Sequence, residues 1–434
     1  MSAPNGGMPT AEGKMRAFSF RMDNPVAPYL IAIAVGDLAF RPLGPRTGVW
    51  TEPSMLDAAA KELEDTEKMV SAAEALYGPY RWGRYDMIVL PPSFPFGGME
   101  NPTLTFLTPT FIAGDKSLVS LIAHELAHSW SGNLATNATW NDFWLNEGMT
   151  TYAERRIIES IYGPKVAKQQ VALGITAMND AVTEAGGAAS LDSRLHLDLK
   201  GRHPDDGLTD IAYEKGAAFL RMLEATAGRG KFDAYLKGWF ERHSFQPVTS
   251  AMFLADLRQH LIKGDKALED RMQLDQWVYQ PGIPANSVPA DPQAFADVDQ
   301  AVKTFTAGGR ADSAKWNGWT TDERLRFLDS ISPKQPTERM AELDRAFGLN
   351  AVRNNEVKFA WLTMVVANRY DPGIPALEAF LGSIGRGKFV RPLYTSLYSD
   401  ASWGRPIAQR VYARSKSLYH PVVGRDVDKI MAGK

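Results

Sequence analysis

His124, Glu125 and His128 stand in the run Leu121-Ile-Ala-His-Glu-Leu-Ala-His-Ser-Trp130, and Glu147 follows in Trp144-Leu-Asn-Glu-Gly148 after eighteen intervening residues. On a helix, positions i and i+4 share a face. Both imidazoles can then reach one cation while the glutamate at i+1 projects beside it. Glu147 supplies a third, oxygen ligand. Three protein ligands leave the fourth tetrahedral position to water, whose pKa a zinc ion lowers to about 7, and that open position separates catalytic from structural zinc. His124, His128 and Glu147 are therefore expected to hold one Zn2+ per chain. Glu125 is expected to be the general base, taking a proton from the attacking water and returning one to the leaving amine. The chain has no cysteine, so thiolate ligands and nucleophiles are excluded, and two of its seven histidines fall in this one motif.

Local sequence must position these groups. Leu118, Leu121, Ile122, Leu126 and Trp130 recur with near-helical spacing, which predicts a helix with one buried face and with Asp115 or Ser117 as its N-cap. Glu147 opens a second helical run that reaches Ile158. Glu154 lies two turns along the same face. It could orient a ligand histidine through its other ring nitrogen, or pair at the surface with Arg155 or Arg156. Tyr85–Leu90 reads as a strand, and the Pro- and Gly-rich segment after it contains Gly97, Gly98, Met99 and Glu100. Paired glycines let a substrate approach the backbone, so this is a strand-end or edge feature able to pair with an extended peptide.

Gly97-Gly-Met-Glu-Asn-Pro102, about two dozen residues before His-Glu-x-x-His-x(18)-Glu, resembles the gluzincin aminopeptidases. Thr108-Pro-Thr110, Ala113-Gly-Asp-Lys-Ser117, Trp144-Leu-Asn-Glu-Gly148 and Tyr213-Glu-Lys-Gly216 look like the leukotriene A(4) hydrolase branch of that family, and the resemblance runs through nearly the whole chain. It implies an α+β, mostly α fold: a thermolysin-like zinc catalytic domain, then an α-helical C-terminal domain, with a remnant of an N-terminal β domain. It also implies an aminopeptidase acting on short peptides. Glu100 would anchor the substrate α-amine, and a fixed anion at a set distance from the metal agrees with cleavage one residue from a charged N-terminus. By the same resemblance Tyr213 would donate to the oxyanion. Arg386 and Lys388 would receive the carboxylate of a short peptide or acidic lipid, each contact worth roughly 1.5–3 kcal/mol. Asp205 matches the aspartate that the family's namesake uses on its epoxide substrate. Leu208 and Phe96 replace tyrosines of that namesake, which leaves peptide hydrolysis untouched and weighs against lipid epoxide hydrolysis, the alternative activity. A non-catalytic scaffold is the third reading, and it predicts degraded ligands where all are intact.

With 434 residues, 44% hydrophobic and 23% charged, the chain has the composition of an ordinary globular protein of two or three domains. A net charge of −2 gives no reason to invoke nucleic acid or anionic membrane. The longest apolar run, Tyr29–Val35, is too short to span a bilayer and suits a buried strand. Residues 15–40 read as strands, including Met15–Met22, and helical patterning dominates from Ser54. Pro281–Pro292 is the clearest linker. The expected divisions are 1–40 for the β remnant, 41–285 for the zinc peptidase domain, 286–297 for the linker and 298–434 for the helical domain. Members of the branch begin with an all-β domain of roughly two hundred residues, so an N-terminally truncated form is expected. The N-terminus lacks the blocks of a signal peptide. A cytoplasmic enzyme is the reading, with a periplasmic or secreted one if an upstream segment carries a signal.

Overall fold

The computed structural model describes residues 1–4, 6–7 and 10–433. Its main sheet has five strands in the order Ala39–Pro42, Thr47–Thr51, Tyr85–Val89, Leu104–Leu107, Gly98–Met99. The three central strands run parallel. Their side chains are almost continuously buried, as expected where helices or loops cover both faces. A parallel pair needs a long crossover. The helices Leu56–Glu62 and Thr66–Tyr77 supply the one between Thr47–Thr51 and Tyr85–Val89. Ala39–Pro42 closes one edge antiparallel, and Gly98–Met99 closes the other, with Gly98 opposite Leu107.

Helices dominate thereafter, in keeping with the expected α+β, mostly α class. Ser120–Ala127 carries the first histidine and Phe143–Tyr162 carries Glu147. Gly163, at φ 87°, ends the latter helix, and Pro164 starts the next, Pro164–Glu184. A π-turn, Ile211–Lys215, leads into Gly216–Ala227. A Cβ on Gly148 would lie 2.6 Å from the Gly216 Cα, and one on Gly216 would lie 2.7 Å from the Gly148 Cα. The two helices therefore cross backbone against backbone, which presses the π-turn onto the helix of Glu147. One hydrophobic core gathers residues from Val49 to Val278, with Trp144, Phe219 and Trp277 fully buried in it. Another gathers residues from Phe295 to Val427 around Trp361, Phe389 and Tyr394. No helix among the described residues is long and apolar enough to cross a membrane.

Several local expectations are corrected. Neither Asp115 nor Ser117 caps the motif helix, which starts at Ser120 without a side-chain cap. The preceding loop turns through positive φ at Gly114 and Lys116, and buried Glu62 accepts from the backbone N–H of Ala113, Gly114 and Lys116. That distant carboxylate ties down the loop and leaves the helix itself without a side-chain cap. The helix of Glu147 starts earlier, at Phe143. Tyr29–Val35 is not a buried strand. Pro28–Leu30 forms a 3-10 turn, and Ile31, Ile33 and Val35 are 61%, 68% and 91% exposed. Leu30 is buried at 1% exposure, and Ala32 and Ala34 turn inward against the small cluster of Ile88, Leu104 and Phe106. Met15–Met22 contributes only the three-residue strand Met15–Ala17.

Candidate active site

The motif helix and the Phe143–Tyr162 helix bring their polar residues to one point. Glu147 Oε2 lies 3.1 Å from His124 Nε2 and 3.4 Å from His128 Nε2. Tetrahedral zinc, with bonds of about 2.0–2.2 Å, sets its donor atoms roughly 3.3–3.6 Å apart, so the spacing fits. The far ring nitrogens agree. His128 Nδ1 lies 3.0 Å from the Ser131 carbonyl oxygen, which can only accept, and His124 Nδ1 lies 3.1 Å from Glu154 Oε2. With a cation bound, each ring would keep its proton on Nδ1 and turn an Nε2 lone pair toward the common point. Arg155 is occupied elsewhere, by Glu214 at 2.7 Å, so Glu154 is left to the histidine. Two neutral imidazoles, one carboxylate and room for water make the donor set of a catalytic zinc site.

The electrostatics favour a cation at this point. Burial opposes charge on both histidines, yet Glu147, with Glu154 beside His124 and Glu100 beside His128, holds them above their ordinary value, His128 at about 9. Glu147 is buried as well, and the two imidazoles hold it down to about 2. Burial pushes Glu125 up to about 7; the histidines pull it down, while Glu100 and Glu147 push it further up. A carboxyl group balanced near neutrality suits proton exchange.

The Gly98–Met99 edge strand lies directly over this group. A Cβ on Gly98 would sit 2.2 Å from Glu125 Oε1, and one on Gly97 would sit 2.8 Å from Arg386 Nη2. Glycine is thus a requirement of space at Gly98, where three atoms of Glu125 stand within 2.7 Å, while at Gly97 only the tip of the Arg386 side chain would have to move. Glu100 follows, its carboxylate accepting from the Tyr29 hydroxyl at 3.0 Å, and that hydroxyl accepts from Asn146 Nδ2 at 3.3 Å. The Tyr213 ring stacks at 6.1 Å on His124. Its π-turn is pinned by buried Lys215, which donates to the carbonyls of Ser193 at 2.8 Å and Gln280 at 3.2 Å. Arg386 and Lys388 share one acid: Glu356 receives them at 3.4 and 2.7 Å.

A single cavity of about 1020 Å³ is lined by Gly97, Gly98, Met99, Glu100, His124, Glu125, His128, Glu147, Tyr213, Arg386 and Lys388. Asp205 does not join them. It stands in the 3-10 turn Pro204–Gly207 with its side chain 73% exposed, turned away from the cavity, and Asp210 lines the wall instead. Tyr29, Asn146 and Glu356 also line it and escaped the sequence reading. Tyr29 sits inside an apolar run that masks it, and nothing in the sequence links it to Glu100.

Residues 61–277 match the peptidase family M1 domain, and residues 319–431 match the C-terminal domain of leukotriene A4 hydrolase. Leucine aminopeptidase 2 of Pyricularia oryzae is 37% identical over 430 residues, which is 97% of this chain and 69% of that protein. Leukotriene A-4 hydrolase of Xenopus laevis is 36% identical over 429 residues, 95% of this chain and 68% of its own length. The structure of yeast leukotriene A4 hydrolase in complex with bestatin superposes with a TM-score of 0.90 at 31% identity, covering 99% of this chain and 72% of that one. The zinc-binding pattern, the edge strand over Glu125 and both matched domains lead to one conclusion: the chain belongs to peptidase family M1, the zinc aminopeptidases, in the branch that carries the leukotriene A4 hydrolase C-terminal domain.

Proposed function

We propose that this chain removes N-terminal residues from short peptides, with one zinc ion held by His124, His128 and Glu147. The observation that carries the reading is that Glu100 and Glu125 open onto the same cavity as the three ligands. Zinc, when bound there, supplies a Lewis acid that polarises the scissile carbonyl and acidifies water. The chain's own residues do the rest. Glu100 receives the protonated α-amine and so sets cleavage one residue from the N-terminus. Gly97, Gly98 and Met99 offer an exposed strand edge along which the substrate backbone lies. Glu125 takes the proton of the attacking water on its carboxylate and returns one to the leaving nitrogen. The Tyr213 hydroxyl donates to the oxygen on which negative charge develops. Arg386 and Lys388 meet the carboxylate of a short peptide, which favours substrates that end within the cavity.

The proposed units are a peptidase domain of 41–285 and a helical domain of 298–434, joined by 286–297 and preceded by the β remnant of 1–40. The separate cores support the division near the linker, whereas the strand Ala39–Pro42 runs across the proposed boundary after residue 40. For lipid epoxides, the exposed position of Asp205 weighs against the same site serving that chemistry.

The test pairs metal analysis with hydrolysis of leucine anilide. Glu125→Gln should retain zinc and lose about 10²–10⁴-fold in kcat. Full activity in a zinc-loaded Glu125→Gln protein would remove the role given to that residue, and a chelated wild type that stayed active would remove the metal.

A further inference from the structure

Behind the catalytic helix lies a second cavity, of about 400 Å³, with no opening onto the zinc site among its lining residues. It is bounded by the helices Phe143–Tyr162, Pro164–Glu184 and Gly216–Ala227, and residues 288–291 close over it. Much of its wall is apolar, with Val171, Ile175, Ala217 and Ala218 facing the space.

Five bases and four acids line it, and Asp233 outside brings the acids to five, so the charge balances while the pairing is uneven. Each of the four acids on the wall is already held by a base. Glu214 takes Arg155 at 2.7 Å, and Glu159 takes Arg229 at 2.9 Å. Glu224 takes Arg229 at 2.5 Å and the Tyr152 hydroxyl at 2.9 Å, and Asp291 takes Lys168 at 2.9 Å. Arg156 is matched from outside the cavity by Asp233 at 2.7 Å. Arg221 remains. Among the described residues no carboxylate stands within ion-pairing distance of it, and its hydrogen bond is to the neutral Pro289 carbonyl. Burial and nearby Arg155 disfavour its charge, while Glu224, one helical turn on, favours it without forming an ion pair. A guanidinium cannot escape by losing its proton near neutral pH, so a half-buried arginine with no carboxylate paired to it can still accept an anion from the cavity.

We propose that this cavity is a binding site for a small organic carboxylate with an apolar body. The carboxylate pairs with Arg221 through two parallel N–H donors, and the body lies against Val171, Ile175 and the Ala217–Ala218 wall. The wall itself is shared with the catalytic centre: Arg155 follows Glu154 in the chain and Glu214 follows Tyr213, and the pair packs on Gly174, where a Cβ would meet Glu214 Oε2 at 2.3 Å.

The probe is 3-phenylpropionate, titrated calorimetrically into the full chain. One site per chain is expected. Arg221→Met should weaken it by at least about tenfold. So should Ile175→Trp, which fills the apolar end while leaving the arginine in place and therefore reads the same site if the charge variant folds poorly. Arg386→Met should leave the affinity within about twofold, because that residue lines the other cavity. Acetate, which has the charge without the body, should bind at least about tenfold more weakly. The proposal is overturned by any of four results: no binding at about 10 mM probe, equal binding by a folded Arg221→Met protein, loss of binding in Arg386→Met, or acetate matching phenylpropionate.

Discussion

A carboxylate that must bind an ammonium group has to stay ionised and stay aimed. Tyr29 aims Glu100, donating its hydroxyl to Glu100 Oε1 while Asn146 donates to that hydroxyl from the residue before Glu147. Hydrogen bonds to charged groups are worth roughly 1.5–3 kcal/mol. Tyr29→Phe should therefore raise KM for aminoacyl anilides by roughly tenfold to a hundredfold, with a smaller change in kcat and unchanged zinc content; steady-state kinetics at matched metal loading checks this. Legibility at this scale follows contact order. His124, Glu125, His128 and Glu147 were readable because helical spacing and a short gap bring them together, whereas Tyr29 meets its partner across 71 positions. Asp205 shows the reverse failure. The family resemblance assigned it to the substrate, and a proline-initiated turn points the side chain to solvent.

Elements hold these residues at fixed distances, and two contacts do most of that holding. The glycine crossing of Gly148 on Gly216 sets how far the Tyr213 turn stands from the Glu147 helix. Gly148→Ala should cost about 1–3 kcal/mol or more in denaturant unfolding, because a methyl group has backbone on the other side and nowhere to go. The loop before the motif helix is the second. Lys116 meets Asp65 at 2.6 Å, and Lys68 meets the same carboxylate at 2.7 Å. Burial works to raise Asp65, and the two lysines outweigh it, leaving it at about 2. A depressed folded value means stability that is present above the unfolded value of about 3.9 and lost as pH falls toward about 2. After allowance for solvent screening the contribution is about 1 kcal/mol. Asp65→Asn should lower unfolding stability by that amount at pH 7, and the gap should close between about pH 4 and pH 2. The strand Tyr85–Val89 and the motif helix were legible from pattern alone. The anchoring of the loop before that helix was not, because Glu62, which satisfies it, lies on a helix more than fifty residues upstream.

At the scale of the molecule, two cores meet across a proline-rich connection, and the active-site cavity draws lining residues from both sides of it. The linker composition suggested where the chain divides, while the joint cavity was foreshadowed only through the resemblance that singled out Arg386 and Lys388. One apolar surface stands out. Ile31, Ile33 and Val35 form an exposed row, with Phe18 also exposed nearby in the chain. Clustered apolar exposure promotes association. Replacing Ile33 and Val35 with serine should reduce concentration-dependent self-association in sedimentation velocity without altering anilide turnover.

Glu356 has an implication for how choosy the enzyme can be. By grasping Arg386 and Lys388 together, one carboxylate offsets half of their charge before any peptide arrives and leaves the other half to receive a terminal carboxylate. An incoming chain with an amidated terminus then leaves one positive charge unmatched where two bare bases would leave two, so discrimination against it is softened and not abolished. Ionic strength should likewise tug only gently on turnover of acidic oligopeptides, a tolerance that a pair of unescorted bases would forfeit.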